Sequence, residues 1–166
     1  MRYTGLFSQQ PRSAAGLKTL LEDAFPGIVA EILQCIPRRV KIPPDQRLIL
    51  GEGESSYLGF NAVLGEELED RTGKIIVSVG PLTREQFHKL MNVPDQWTTL
   101  IFLIQFYLTV PIECDLELVL AENQAKTTTL GAPEWSCLGK NAWTFSGDAC
   151  GQVRSTLPLN LADRPI

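Results

Sequence analysis

The sequence predicts an α+β domain with a mostly antiparallel sheet and about three helices. Three observations predict this class: segments with apolar residues at helical spacing, a segment in which apolar and acidic residues alternate, and frequent glycines and prolines between them. The chain has 166 residues, the length of one domain. Hydrophobic residues make up 44% and charged residues 20%, a composition that excludes intrinsic disorder.

The first two predicted helices have recognisable ends. Ser13 is placed to cap a helix that ends at Pro26-Gly27. Thr83 and Gln86 have the spacing of a capping box at the start of a second helix, which ends near Asn92. In the first helix, apolar residues recur at i, i+3, i+4 and i+7: Leu17, Leu20, Leu21 and Ala24.

A third helix is predicted from Pro94 to about Thr109. It has almost no polar face, and three interpretations are open. The helix is buried all round in the core, or one side is covered by another chain, or it spans a membrane. The apolar run is short for a membrane span and contains several threonines, so direct membrane insertion is not expected.

The predicted strands are separated by turn-forming residues. Ile28–Ile36 has the apolar character of a strand covered on both faces, and Arg38–Ile42 that of a short edge strand between prolines. Glu66–Asp70 and Lys74–Val79 flank a glycine-containing turn and predict a hairpin.

Glu113–Leu120 alternates most clearly and predicts a half-buried strand. Its acidic residues share one face, which is either solvated or opposed by the cations of Arg38–Lys41. We expect one domain over residues 1–145 and an irregular tail over 146–166, which is rich in turn formers.

Charge and cysteine content limit the classes of partner and cofactor. The formal net charge is −4 and there is no basic tract, which argues against nucleic-acid binding. Four cysteines without a Cys-x-x-Cys pair and a single histidine, His88, do not form a zinc pattern, so no metal or cofactor is expected. The first residues do not resemble a signal peptide, which predicts a cytoplasmic protein with reduced thiols.

No catalytic pattern stands out in the sequence. Gly51–Ser55 is rich in glycine but has two glutamates and no P-loop lysine, and His88 is expected on the surface without an orienting partner. The alternative function is a small hydrolase or ligand-binding module. It requires Glu66, Glu69, His88 and the Gly51–Ser55 loop to lie together in the fold.

Several short motifs resemble one family in their order and spacing. The chain resembles the C-terminal half of the TssG (ImpH/VasB) proteins of type VI secretion baseplates. Family members are longer, so we expect this chain to correspond to a fragment or a truncated form without the N-terminal half. The motifs that carry the resemblance lie between Tyr3 and Trp143: Tyr3-Thr4-Gly5-Leu6-Phe7, Pro11–Leu17, Leu58-Gly59, Ala62–Gly65, Gly80-Pro81-Leu82, Leu130-Gly131, Leu138-Gly139 and Trp143.

This resemblance implies a non-enzymatic scaffold in a baseplate wedge at the inner membrane. The implied partners are protein subunits, namely TssF, TssK and TssE. Large aromatic residues often anchor interfaces, although a core role remains open for each one here. The candidate partner-binding residues are Trp97, Phe102, Phe106, Trp135 and Trp143.

Overall fold

A computed structural model describes residues 3–48, 57, 59, 62–129, 131, 134–146 and 150–159. The chain divides into two compact units. The first comprises Met1–Gln34 and Ile75–Ile166, and the second comprises Cys35–Lys74. Within the described residues, both units contain antiparallel strand pairs and all four α-helices lie in the first unit, which confirms the α+β prediction.

The helices and strands follow one another in this order along the chain: α1 (Thr4–Ser8), α2 (Ala14–Ala24), β1 (Ala30–Leu33), β2 (Arg38–Lys41), a 3-10 turn (Pro44–Gln46), β3 (Glu67–Asp70), β4 (Lys74–Leu82), α3 (Arg84–Asn92), α4 (Pro94–Tyr107), β5 (Glu113–Leu120) and β6 (Val153–Leu159).

Local side-chain hydrogen bonds begin two of the helices, as the sequence predicts. The Ser13 hydroxyl accepts a hydrogen bond from the Gly16 amide at the start of α2. At α3, the Gln86 amide donates to the Thr83 hydroxyl and the Thr83 amide donates to the Gln86 side chain. Each cap satisfies amides that a helix leaves unpaired in its first turn.

Helix α4 joins α2 in the core of the first unit. Leu100, Ile104 and Tyr107 of α4 are buried, and the Tyr107 hydroxyl donates to the Ser13 carbonyl over 3.0 Å. Gly16 lies directly under this hydroxyl. The helix ends at Tyr107, two residues before the predicted end. Because Phe102 and Phe106 are exposed, it is buried on one side rather than all round.

The first unit contains a four-stranded sheet in the order β1-β4-β5-β6. β1 runs antiparallel to β4, and β6 antiparallel to β5. The carboxyl ends of β4 and β5 lie side by side, since the Ala121 amide donates to the Leu82 carbonyl over 2.9 Å. Gly80 of β4 approaches the Val119 backbone so closely that a Cβ at this position would overlap the carbonyl oxygen.

Two predictions, one for the tail and one for β5, need correction. The tail over 146–166 was expected to be irregular, but Val153–Leu159 forms β6 and pairs with β5 along its length. Proline is compatible with an edge strand, so Pro158 does not end β6. β5 lies between β4 and β6 in the sheet, and it is buried on both faces over Leu116–Leu120 rather than half-buried.

Of the acidic residues of β5, Glu117 is opposed by a different cation from the candidates Arg38–Lys41. Glu117 is only 9% exposed. Its carboxylate accepts a hydrogen bond from the Ser78 hydroxyl over 2.8 Å and lies 3.4 Å from the Arg154 guanidinium of β6. Arg38 instead pairs with Asp70 over 2.8 Å.

The second unit contains the pair β2 and β3, which run antiparallel with Arg38 opposite Asp70. The predicted hairpin between Glu66–Asp70 and Lys74–Val79 is therefore wrong. Both segments are strands, but each pairs with an earlier part of the chain: β3 with β2, and β4 with β1. Strand pairing over long sequence separations is not encoded in the local turn.

Candidate functional site

The exposed face of α4 carries an aromatic patch, which we define as Phe7, Phe102 and Phe106. Phe102 and Phe106 are one helical turn apart, and their rings stack with centroids 5.7 Å apart and an interplanar angle of 14°. Phe7 of α1 meets Phe106 edge-to-face at 4.8 Å. Phe102 remains 48% exposed and Phe106 53% exposed, so the patch presents contiguous apolar surface to the solvent.

Arg12 connects the backbone segments that carry the aromatic patch. Its guanidinium donates to the carbonyls of Phe106 and Tyr107 over 2.7 and 2.8 Å and to the Phe7 carbonyl over 3.1 Å. The cation therefore binds the last carbonyls of α4, where the helix dipole is negative, and ties α1 to them. Because of these contacts, the backbone on both sides of the patch is held in place.

A second aromatic cluster, formed by Phe87, His88, Trp135 and Trp143, lies inside the first unit. Trp135 is 3% exposed and stacks on Phe87 with ring centroids 5.6 Å apart. His88 and Trp143 contact Trp135 at 4.7 and 5.5 Å. Phe87 and Trp135 belong to the hydrophobic core, and Trp143 packs against it.

The surroundings of His88 differ from the prediction. Its side chain is 16% exposed rather than on the surface, because Trp135 covers it and Glu134 lies 3.6 Å away. Glu134 also pairs with Arg84, and hydrogen bonding from Arg84 lowers the pKa of the Glu134 carboxyl. The sequence around His88 does not predict this arrangement, because Glu134 and Trp135 lie far along the chain from it.

The structure separates the five candidate partner-binding residues into two groups. Phe102 and Phe106 are exposed on α4. Trp97, Trp135 and Trp143 pack in or against the core, Trp135 completely and the other two in part. Sequence reasoning missed Phe7 and Arg12, whose role depends on α1 lying against the end of α4.

The residues that the alternative function requires belong to different units of the chain. Glu66 and Glu69 belong to the second unit and His88 to the first, and Gly51–Ser55 lies outside the described residues. Among the residues that are described, no group of three His, Cys, Asp or Glu side chains is placed to hold a metal ion. In the same part of the chain, no helix is both long and apolar enough to cross a membrane.

Comparisons with known proteins identify the family. Residues 1–144 match the family described as Type VI secretion, TssG. No match was found among curated proteins. One similar solved structure is a chain of the type VI secretion TssK-TssF-TssG baseplate subcomplex, determined by cryo-electron microscopy. It superposes with a TM-score of 0.73 at 18% identity over 95% of this chain and 67% of that chain.

A second similar structure belongs to a baseplate complex from the type VI secretion system. Its TM-score is 0.56 at 20% identity, over 94% of this chain and 45% of that one. At these identities the likeness establishes the fold, and the chain spans only part of the two structures it matches. The family match covers most of the sequence, so the chain belongs to the TssG family of type VI secretion.

Proposed function

We propose that this chain is a structural component of a type VI secretion baseplate wedge and acts by binding TssF-like and TssK-like subunits without catalysing a reaction. Family membership over residues 1–144 supports the baseplate assignment. A similar fold occurs in a TssK-TssF-TssG subcomplex, which supports these two classes of partner. The proposed location is the cytoplasmic side of the inner membrane, where such a baseplate docks; a role for TssE in the same wedge remains a prediction.

The observation that carries the proposal is the exposed, stacked pair Phe102 and Phe106. Two large aromatic rings on an ordered helix have the character of interface anchors, which contribute much of the binding energy when a partner covers them. Fully burying an exposed side chain of this size contributes about 1.5–3 kcal/mol, and since about half of each ring is exposed, covering each one contributes about 1 kcal/mol. Together with the supporting contacts of Arg12, the pair forms a rigid apolar surface suited to a permanent complex.

The test is co-expression of this chain with the TssF-like and TssK-like subunits of one secretion system. We expect a complex of defined mass by native mass spectrometry. The double variant Phe102→Glu/Phe106→Glu places two charges on the patch and should weaken partner binding by about a hundredfold or more. Failure of the unaltered chain to bind either subunit would contradict the proposed function.

Leu138→Glu is the matched control because Leu138 is 93% exposed and lies outside the aromatic patch. Leu138→Glu should leave thermal unfolding nearly unchanged, whereas the double variant loses the stacked pair and the Phe7–Phe106 contact and should melt at a lower temperature, so binding is compared well below both melting temperatures. If Leu138→Glu weakens the complex as much as the double variant does, the aromatic patch is not the binding surface.

A further inference from the structure

Among the strands that the structure describes, none pairs with the outer edge of β1. β1 lies at the edge of the sheet and pairs only with β4. The Gly80 amide donates to the Val29 carbonyl, so in an antiparallel ladder the backbone groups of Val29, Glu31 and Leu33 face β4. Those of Ala30 and Ile32 must therefore point away from the sheet.

Of the two outward-facing residues, only Ala30 has a hydrogen-bond partner among the described residues. The Ala30 amide donates to the Glu22 carboxylate over 3.3 Å, which confirms its direction. Within the described ranges, neither the N–H nor the C=O of Ile32 has a hydrogen-bond partner. Exposed sheet edges are usually protected by proline, a bulge or lysine. Ala30–Leu33 contains no proline or lysine.

A cavity of about 360 Å³ adjoins this edge. Ile32 and Gln34 are among its lining residues, as are residues of the segment that follows α4. The walls are mainly apolar side chains, which offer space for residues of an added strand: Pro11, Leu17, Ile75, Leu108, Val110 and Ile112.

Arg12 gives the cavity its charge. Its guanidinium lines the cavity and donates to three backbone carbonyls, but no carboxylate of the described residues pairs with it. Its Nε–H is buried and also has no hydrogen-bond partner in that part of the chain. A guanidinium has five N–H donors and pairs strongly with carboxylates, so the cavity favours an acidic group.

We propose that the β1 edge is a strand-addition site for an extended segment of another protein with apolar residues at alternate positions and one acidic side chain. The segment pairs with the N–H and C=O of Ile32, its apolar side chains enter the cavity, and its carboxylate approaches Arg12. Alternate side chains of a strand point to the same face, so one face of the segment fills the cavity. This site goes beyond the proposed function because it concerns a class of segment and a surface without Phe102.

The probe is a panel of short labelled peptides of alternating valine and threonine, with one aspartate at successive positions. Fluorescence polarisation against the full chain should show binding by at least one member. The same peptide with lysine in place of aspartate should bind about tenfold more weakly. If no member of the panel binds, or the lysine peptide binds equally well, the proposal is wrong.

Two variants of one residue separate strand addition from simple apolar binding. Ile32→Ala shortens the side chain and keeps the outward N–H, whereas Ile32→Pro removes that N–H as well. Because this N–H is not part of the β1–β4 ladder, the proline is compatible with the sheet. We expect Ile32→Pro to bind the peptide about three- to tenfold more weakly than Ile32→Ala. Equal binding by the two variants would overturn strand addition.

Hydrogen exchange on the unaltered chain tests the proposal without any substitution. Peptide binding should slow exchange of the Ile32 amide and leave the amides near Phe102 unchanged. Exchange at Ile32 that stays unchanged in the presence of bound peptide would overturn the proposal. Concentration-dependent dimerisation that protects Ile32 without peptide would also overturn it, because a second copy would then be the occupant.

Discussion

Replacing Gly16 with alanine tests how closely α2 and α4 pack. Gly16 is in the first turn of α2, and a Cβ at this position would overlap the Tyr107 hydroxyl oxygen. That hydroxyl is held by its hydrogen bond to the Ser13 carbonyl. It therefore moves only if the hydrogen bond is lost.

The expected effect follows from two opposing contributions. Alanine is favoured over glycine in a helix by up to about 1 kcal/mol. Overpacking against a fixed side chain typically destabilises by about 1–3 kcal/mol, and loss of the hydrogen bond adds about 1 kcal/mol. Gly16→Ala should therefore lower the free energy of unfolding by about 1–3 kcal/mol, or the melting temperature by about 2–10 °C in a chain of this size.

A double-mutant cycle with Tyr107→Phe isolates the contact. Tyr107→Phe alone should lose about 1 kcal/mol, and Gly16→Ala should cost much less in that background because the hydroxyl is gone. Chemical denaturation of the four proteins gives the coupling energy. A Gly16→Ala variant as stable as the parent, or the same loss in both backgrounds, would refute the packing argument.

Three further predictions concern other parts of the molecule. Gly80→Ala should destabilise by about 2 kcal/mol or more in urea unfolding, because φ is 150° and the Cβ would meet β5; an unchanged midpoint contradicts this. Hydrogen bonds from Thr72 and then from a neighbouring guanidinium lower the pKa of Asp70 to about 2, below its ordinary 3.8. The second unit should therefore lose stability as pH falls from about 4 towards 2, and Asp70→Asn should remove that dependence in hydrogen exchange. Burial raises the pKa of the Cys114 thiol to about 12, so iodoacetamide at pH 8 should modify exposed Cys35 and spare Cys114 in mass mapping.

Local features of the fold could be predicted because their causes lie within a few residues. The capping bonds of Ser13 and Thr83 form between residues three apart, and the apolar spacing that follows each cap defines the buried face of its helix. The bounds of β5 were also predicted correctly, since alternation is a property of the segment itself, but its burial on both faces was not.

The errors involve contacts between distant parts of the chain. β6 was missed because Pro158 and the surrounding turn formers are typical of irregular structure, whereas its stability comes from pairing with β5. His88 was expected at the surface because only its neighbours in the helix were visible, and Trp135 covers it from a distant segment. The exposed pair Phe102 and Phe106 was among the sequence candidates, but nothing in the sequence separates it from the three tryptophans that pack in or against the core.

The stacking of Phe102 on Phe106 also affects the entropy of association. Each ring limits the rotamers of the other before any partner arrives, and Phe7 restricts Phe106 further. A free aromatic side chain loses conformational freedom when it is immobilised at an interface. In this helix part of that loss has already occurred during folding, so a docking subunit meets a partly preorganised surface and retains more of the energy gained by excluding water.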